Sequence, residues 1–119
     1  MNDHRAEVRK PAWDGDSWYY YVYPYDRLRF EDDGRMYGYN SISLGTPEGM
    51  AARNRIRELL PVGSACIIHT FGREKYGRML TVVINHEGLN VNDTMLKEGH
   101  GVPYDGTGPR QGPLFWRQL

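Results

Sequence analysis

Three short sequence patterns contain residue types that can hold cations and phosphate groups. In chain order they are DGDS at 14–17, RMYGYN at 35–40 and KYGR at 75–78. Asp14 and Asp16 offer carboxylate oxygens, which hard cations such as Ca²⁺ prefer as ligands. Arg35 and Arg78 offer guanidinium groups, which bind phosphate or carboxylate through two parallel hydrogen bonds. Taken one at a time, each pattern also has a plainer interpretation.

The plainer interpretations involve local structure only. The DGDS pattern is typical of an Asx turn, in which an aspartate side chain accepts a hydrogen bond from the backbone two residues on. The KYGR pattern could be a turn followed by a surface arginine. Arg35 could form an ion pair inside a barrel with Asp26 or with Asp16. These alternatives stay open at the level of the sequence.

Strand signals dominate the first third of the chain. Residues 18–23 are a dense run of aromatic and β-branched side chains, and residues 27–30 alternate between polar and apolar. The Asp33-Gly34 pair predicts a tight turn, after which 35–39 resumes an extended pattern. Seven of the nine tyrosines lie in residues 19–39. Alternation would send about half of them into the core, and stacking of nucleic-acid bases is the other interpretation of this run.

Helix and strand signals alternate in the rest of the chain. Thr46, Pro47 and Glu48 supply a cap, a first-turn proline and a first-turn acid, which predicts a helix over 47–60. Residues 64–70 and 79–84 predict two more strands, and 90–99 predicts a short helix with Asn92 or a neighbour as its cap. We therefore expect an α+β, mainly β fold: a five-stranded OB-type barrel with two or three helices.

The ends of the chain differ from this middle part in composition. Residues 1–12 are charged and aperiodic, which predicts a flexible arm, and 13–105 would form the barrel domain. Residues 106–119 form a Gly/Pro-rich tail, in which Leu114, Phe115 and Trp116 form an apolar cluster that we expect to dock on the barrel or on a partner.

Charge is balanced over the whole chain but not along it. The 119 residues include 15 Lys+Arg and 15 Asp+Glu. Residues 1–34 hold eight acidic side chains against five basic ones, whereas 50–80 hold six basic against two acidic. A net charge of zero therefore does not exclude a nucleic-acid partner, because phosphate binding depends on local charge. The sequence contains no signal peptide and no membrane span, so we expect a cytoplasmic protein.

Considered together and in order, the three patterns resemble the staphylococcal nuclease-like (thermonuclease) family, and in particular its short bacterial and phage members. The resemblance covers about residues 14–104 and suggests that the protein is virus-encoded or bacterial. It implies an OB-fold barrel with added helices that binds one Ca²⁺ and hydrolyses phosphodiester bonds in DNA and RNA. The expected partner is a nucleic acid.

The resemblance also assigns metal ligands. Asp16 matches the aspartate of the DGD[ST] motif that ligates calcium, and Asp14 matches the first acid of that motif. Asn40 stands where the family usually has its second calcium-binding aspartate. Ser41 stands where a backbone carbonyl completes the metal site.

Phosphate contacts are assigned in the same way. Arg35 matches the strand arginine that contacts the scissile phosphate. Arg78 matches the second phosphate arginine, in the KYGR motif. Lys75 and Tyr76 match flanking phosphate contacts.

The loop at 40–43 departs from the family pattern. Asn40 keeps an oxygen ligand but lacks the negative charge of aspartate, which weakens the binding of a hard cation. Ser43 occupies the position of the general-base glutamate, and a serine hydroxyl is a poor base near neutral pH. Glu48 could assist the attacking water if the loop folds back, or it could only complement the dipole of the helix.

Three functions follow from these observations. The first is a divergent Ca²⁺-dependent nuclease. The second is a catalytically impaired module of the same fold that binds nucleic acid or phosphate through Arg35, Lys75 and Arg78. The third is a structural or assembly subunit that docks on other proteins through its aromatic strands and its tail.

Overall fold

The fold of residues 3–104 consists mainly of short β-strands, with two helices between them. The computed structural model describes residues 3–104, which form, in chain order, β1 (Asp3–Lys10), β2 (Ser17–Tyr25), β3 (Leu28–Met36), β4 (Tyr39–Ser41), α1 (Pro47–Leu59), β5 (Ala65–Arg73), β6 (Met79–Ile84), α2 (Val91–Lys97) and β7 (Gly101–Pro103). Neither of the two helices in this described part is long and apolar enough to cross a membrane.

Five of the described strands close into a barrel in the order β1, β2, β3, β6, β5. β1 pairs with both β2 and β5, which closes the barrel, and only the β3–β6 pair is parallel. β4 and β7 form a separate two-stranded ribbon. The prediction of an α+β, mainly β fold with a five-stranded OB-type barrel and two or three helices is confirmed, and residues 3–104 contain two helices.

The first barrel strand was not expected. Residues 3–10 are β1, so the prediction of a flexible arm over this segment is wrong. Ala6 and Val8 point into the barrel and are buried. The alternate residues Arg5, Glu7 and Arg9 face outward. Two small apolar residues suffice here because β1 also gains backbone hydrogen bonds from a neighbour on each side.

The predicted turn at Asp33-Gly34 is also wrong. β3 runs without interruption through both residues, and the chain turns earlier, between Tyr25 and Leu28. A Cβ atom on Gly34 would lie 2.4 Å from Nε1 of Trp18, which fills the barrel interior beside it. The glycine at this position therefore makes room for an indole ring rather than for a turn.

α1 forms where its capping signals predicted it, and it ends at Leu59. The Thr46 side chain accepts a hydrogen bond from the backbone N of Gly49 at 3.0 Å, and Pro47 occupies the first turn. The buried face of the helix carries Gly49, Ala52, Ile56 and Leu59. Gly49 brings the first turn of α1 directly against the backbone of the preceding loop.

We expect Gly49→Ala to lower the free energy of unfolding by about 2 kcal/mol. A Cβ at Gly49 would lie 1.9 Å from the carbonyl oxygen of Ser43, so helix and loop must separate. Overpacking of this kind costs about 3 kcal/mol at its upper range, and alanine returns about 1 kcal/mol through helix propensity. Urea unfolding of the purified variants measures the difference. Gly45→Ala is the control, because its Cβ would meet only the Ser43 hydroxyl at 4.0 Å. Equal stability of all three proteins would contradict the prediction.

α2 is shorter than the predicted 90–99, and its two asparagines have different roles. Asn90 is the N-cap, with its side chain accepting from the backbone N of Asp93 at 3.0 Å. Asn92 points into the protein instead and is buried. Its side chain bonds to the backbone of Val83, Tyr37 and Thr81.

The core lies inside the barrel and beneath the helices. Trp18 and Tyr20 stack at 4.6 Å between ring centroids, and Ile56, Ile68 and Val83 pack in the same buried cluster. Cys66 belongs to this cluster, and burial together with the charge of Glu7 raises the pKa of its thiol to about 12. The predictions for the tail at 106–119, including the docking of Leu114, Phe115 and Trp116, lie outside the described residues.

Candidate nucleic-acid interface

The loop before β2 places Asp16 at the centre of a buried polar cluster. The backbone N of Asp16 donates to Oδ1 of Asp14 at 3.2 Å, so the Asx turn expected for DGDS is present. Asp16 itself is fully buried, and its Oδ2 accepts a hydrogen bond from the backbone N of Ser41 at 2.9 Å. This bond ties the start of β2 to β4.

Arg35 fills the space between Asp16 and Asn40. It is only 8 % exposed, and its Nη2 lies 3.6 Å from Oδ2 of Asp16. The same guanidinium donates to Oδ1 of Asn40 and to the backbone carbonyls of Met36 at 3.2 Å and Tyr39 at 3.3 Å. The alternative that Arg35 forms a barrel ion pair with Asp16 is therefore confirmed.

Arg78 reaches the same region from the loop before β6. Its Nη1 donates to Oγ of Ser17 at 2.9 Å. Ser17 follows Asp16 in the chain and is the register partner of Arg35 across β2 and β3. The structure thus brings the first two patterns into direct contact and joins the third to them through Ser17.

Glu74 fixes the conformation of the KYGR loop, and sequence reasoning missed it. Its carboxylate accepts from the backbone N of Tyr76 at 3.1 Å and of Arg78 at 3.0 Å, and it bonds the Arg78 guanidinium. Burial alone would raise the pKa of Glu74, but the hydrogen bonds and charge of Arg78 outweigh burial and hold the pKa below its ordinary value. The spacing of an acid four residues before an arginine was the available signal.

Lys75 and Tyr76 lie at the tip of the same loop. Tyr76 is 74 % exposed, and the ammonium of Lys75 lies 5.2 Å from the centroid of its ring. Both side chains are accessible to a ligand, and their predicted contacts with phosphate stay predictions.

The substituted loop leads into α1. The carbonyl of Ser43 accepts hydrogen bonds from the hydroxyl of Thr46 at 2.8 Å and from its backbone N at 3.2 Å. Glu48 is half-buried in the first turn of the helix, where a negative charge is favourable. A role of Glu48 in activating water stays a prediction.

The residues that the resemblance assigns to calcium already make hydrogen bonds or ion pairs within the protein. Ca²⁺ takes six to eight oxygen ligands, which carboxylates, backbone or amide carbonyls and water supply. Here the Asp16 carboxylate and the Asn40 carbonyl both contact the Arg35 guanidinium, which is already a cation. Within residues 3–104, no group of three or more His, Cys, Asp or Glu side chains could hold a metal ion. The donor set in this arrangement does not fit calcium.

The outer face of β2 carries a row of three tyrosines, Tyr19, Tyr21 and Tyr23, which we call the tyrosine row. The intervening Trp18, Tyr20 and Val22 face the barrel interior. The predicted division of the aromatic run between core and surface is thus present, and the three outer rings stand at every second position of one strand.

Cations from the neighbouring strands lie over the rings of the tyrosine row. The Arg29 guanidinium carbon lies 3.8 Å from the Tyr21 centroid, and Lys10 Nζ lies 4.3 Å from that of Tyr19. Arg5 lies 5.1 Å from that of Tyr23. Cation–π attraction places these groups against the ring faces.

Acidic residues share this outer face and lower its net positive charge. The guanidinium of Arg9 lies 2.9 Å from Asp33 and 3.8 Å from Glu31, and its side chain is 15 % exposed. The Tyr23 hydroxyl donates to Glu7 at 3.2 Å. The face is therefore rich in aromatic and basic groups without a large excess of positive charge.

An open cleft of about 440 Å³ lies beside the KYGR loop, and Lys10, whose ammonium lies over the ring of Tyr19, is one of the residues that line it. The residues around it come from β1, β3 and that loop: Arg9, Lys10, Glu31, Asp32, Asp33, Tyr76, Gly77 and Arg78. Burial and the charges of Asp33 and Asp14 raise the pKa of Tyr19, while Arg78 and Arg9 oppose that rise. Tyr19 therefore lies within electrostatic reach of Arg78.

No model of a known protein family and no curated protein matches this chain.

Proposed function

We propose that this OB-type barrel is a module that binds single-stranded nucleic acid, with the tyrosine row as its platform for bases. The observation that carries the proposal is the alignment of the half-buried Tyr19, Tyr21 and Tyr23 on the outer face of β2, with cations against their rings. Aromatic platforms combined with basic side chains are the means by which proteins bind single strands without reading sequence.

The spacing of the row favours a single strand over a duplex. Side chains at every second position of a strand are about 6.6 Å apart. In duplex DNA, consecutive nucleotides of one strand rise by about 3.4 Å. A nucleic acid whose bases stack on successive rings must therefore be extended and unpaired.

The cleft next to the row supplies the groups that would bind the phosphates. Lys10 and Arg78 line it, and Arg29 lies on Tyr21 further along the face. Arg9 contributes less, because Asp33 and Glu31 already neutralise it, and the charge of Arg78 is shared with Glu74. Because few cations face three rings, we expect stacking to supply the larger part of the binding free energy.

Fluorescence anisotropy with a labelled oligonucleotide of about 12 nucleotides tests this function. We expect the single strand to bind more tightly than a duplex of the same sequence. Binding should weaken with salt with a slope of about −2 in log–log form, from three phosphate contacts at −0.7 each. Arg78→Gln should weaken binding and make this slope shallower. Absence of binding at 50 mM salt, or equal affinity for the duplex, would overturn the proposal.

Phosphodiester hydrolysis is a second candidate function, and one observation favours it. Arg78 bonds Ser17, whose backbone pairs with that of Arg35, so the two arginines assigned to the phosphate belong to neighbouring parts of the barrel. Two guanidinium groups can stabilise the charge that develops on a phosphate under attack. Incubation of single-stranded DNA with the protein, in calcium and in chelator, tests hydrolysis. Degradation that Arg78→Ala abolishes would support it, and an intact substrate in both conditions would exclude it.

A further inference from the structure

We infer that the guanidinium of Arg35 is the resident cation of the Asp16–Asn40 cluster, and that this cluster binds no divalent metal ion. Arg35 is then a positioning residue: it holds β4 and the loop before β2 together by an internal ion pair. The inference concerns the architecture of the site and holds whether or not the barrel binds nucleic acid.

The positive charge of Arg35 already lies next to the oxygens of Asp16 and Asn40. Nη2 of Arg35 lies 3.6 Å from the buried Oδ2 of Asp16, and the same guanidinium donates to Oδ1 of Asn40. A divalent cation bound by these two oxygens would have to stand within a few ångströms of the guanidinium or displace it. Repulsion between two cations in a buried site opposes the first arrangement. Loss of the hydrogen bonds of a buried arginine opposes the second.

Asp16 and Asn40 together supply too little negative charge for a divalent cation. Asp16 supplies one negative charge, and the single positive charge of Arg35 balances it. Asn40 supplies a neutral oxygen, and its Nδ2 is buried with no hydrogen-bond partner among the described residues. An amide NH₂ group only donates hydrogen bonds and cannot ligate a cation, so Nδ2 of Asn40 adds no ligand. The charges of Asp16 and Arg35 therefore balance each other without a metal.

The Arg35 guanidinium also connects neighbouring segments of the backbone. Besides Asp16 and Asn40, it donates to the carbonyls of Met36 at 3.2 Å and Tyr39 at 3.3 Å. These contacts join the end of β3 to β4, and Ser41 completes the connection by donating to Asp16 at 2.9 Å. One planar cation thus performs the cross-linking that a metal ion performs in other sites.

The effect of calcium on the stability of the Asp16→Asn variant distinguishes this arrangement from a metal site. We expect Asp16→Asn to lower the midpoint of urea unfolding, and to do so equally in 10 mM CaCl₂ and in chelator, because it leaves a buried guanidinium without its counter-ion. The wild-type midpoint should be the same in CaCl₂ and in MgCl₂ at equal ionic strength. A metal site predicts a dependence on calcium instead. CaCl₂ would stabilise the wild type and not the asparagine variant, so the difference between their midpoints would be larger in CaCl₂ than in chelator.

Terbium luminescence gives a second readout, which reports on metal binding rather than on stability. Tb³⁺ occupies calcium sites and is excited through nearby tyrosine, and the buried Tyr39 lies next to Asn40 in the chain. We expect no saturable signal from the wild type. The double variant Arg35→Met with Asn40→Asp removes the guanidinium and adds a carboxylate, and we expect at least a tenfold stronger, saturable signal from it. A saturable wild-type signal that Asp16→Asn abolishes would overturn the inference, whatever the oligonucleotide assays show.

Discussion

Replacing Asn92 with alanine is expected to lower the free energy of unfolding by about 3 kcal/mol. Oδ1 of Asn92 accepts from the backbone N of Val83 at 3.0 Å, and its Nδ2 donates to the carbonyls of Tyr37 and Thr81, both at 2.9 Å. Thr81 keeps a second hydrogen bond, from the backbone N of Tyr37 at 2.8 Å. Two backbone groups would therefore lose the partner that this side chain supplies, and a buried polar group without a partner costs about 1–3 kcal/mol.

The effect should be visible in urea unfolding followed by tryptophan fluorescence, since Trp18 is buried in the barrel. Asn90→Ala is the matched control: it removes an asparagine two residues away that only caps α2, and we expect a loss of about 1 kcal/mol. If the two variants are equally stable, Asn92 contributes no more than an ordinary cap, and the connection between α2 and the barrel resides elsewhere.

Asn92 also illustrates what the sequence could predict in this fold. An asparagine near the start of a helix signals a cap, and both Asn90 and Asn92 satisfy that rule locally. Which of them turns into the core depends on where β6 and the end of β3 lie, and those positions follow from the barrel as a whole. Elements with complete local signals, such as α1 with Thr46 and Pro47, were predicted within a residue.

The two wrong predictions have the same origin. Residues 3–10 carry only two small apolar side chains, so β1 depends on hydrogen bonds that its neighbours supply, and these cannot be seen in the segment alone. Gly34 follows Asp33 as in a tight turn, but the glycine is needed because Trp18 occupies the space beside it. Tertiary packing overrides a local preference of this size.

The sequence predicts which residues belong to the candidate site, but it does not predict which of them contact one another. The patterns at 14–17, 35–40 and 75–78 do come together, although they are far apart in the sequence. The hydrogen bonds of Arg35 to three acceptors depend on the path of the backbone between Met36 and Asn40. Whether this arginine faces a ligand or an internal acid was therefore left open by the sequence, and the structure shows the internal acid.

The tyrosine row provides the prediction with the largest functional effect. We expect the triple variant Tyr19→Val, Tyr21→Val, Tyr23→Val to bind single-stranded DNA at least about 100-fold more weakly than the wild type, because loss of base stacking costs about 1–3 kcal/mol per ring. Valine suits a strand and removes the aromatic face, so the barrel should keep its fold. Anisotropy titrations at constant salt measure the change.

Two matched variants show whether the rings themselves are responsible. The corresponding triple change to phenylalanine keeps every aromatic face and removes only the hydroxyls, one of which bonds Glu7, so binding should stay within about threefold of the wild type if stacking dominates. Phe71→Val removes an exposed aromatic ring on β5, where Phe71 stacks on Tyr37, and should leave binding unchanged. If the valine variant binds as tightly as the phenylalanine variant, the bases do not lie on this face. A loss of binding limited to Arg78→Gln would then place the nucleic acid in the cleft alone, with phosphate contacts rather than stacking as the source of its affinity.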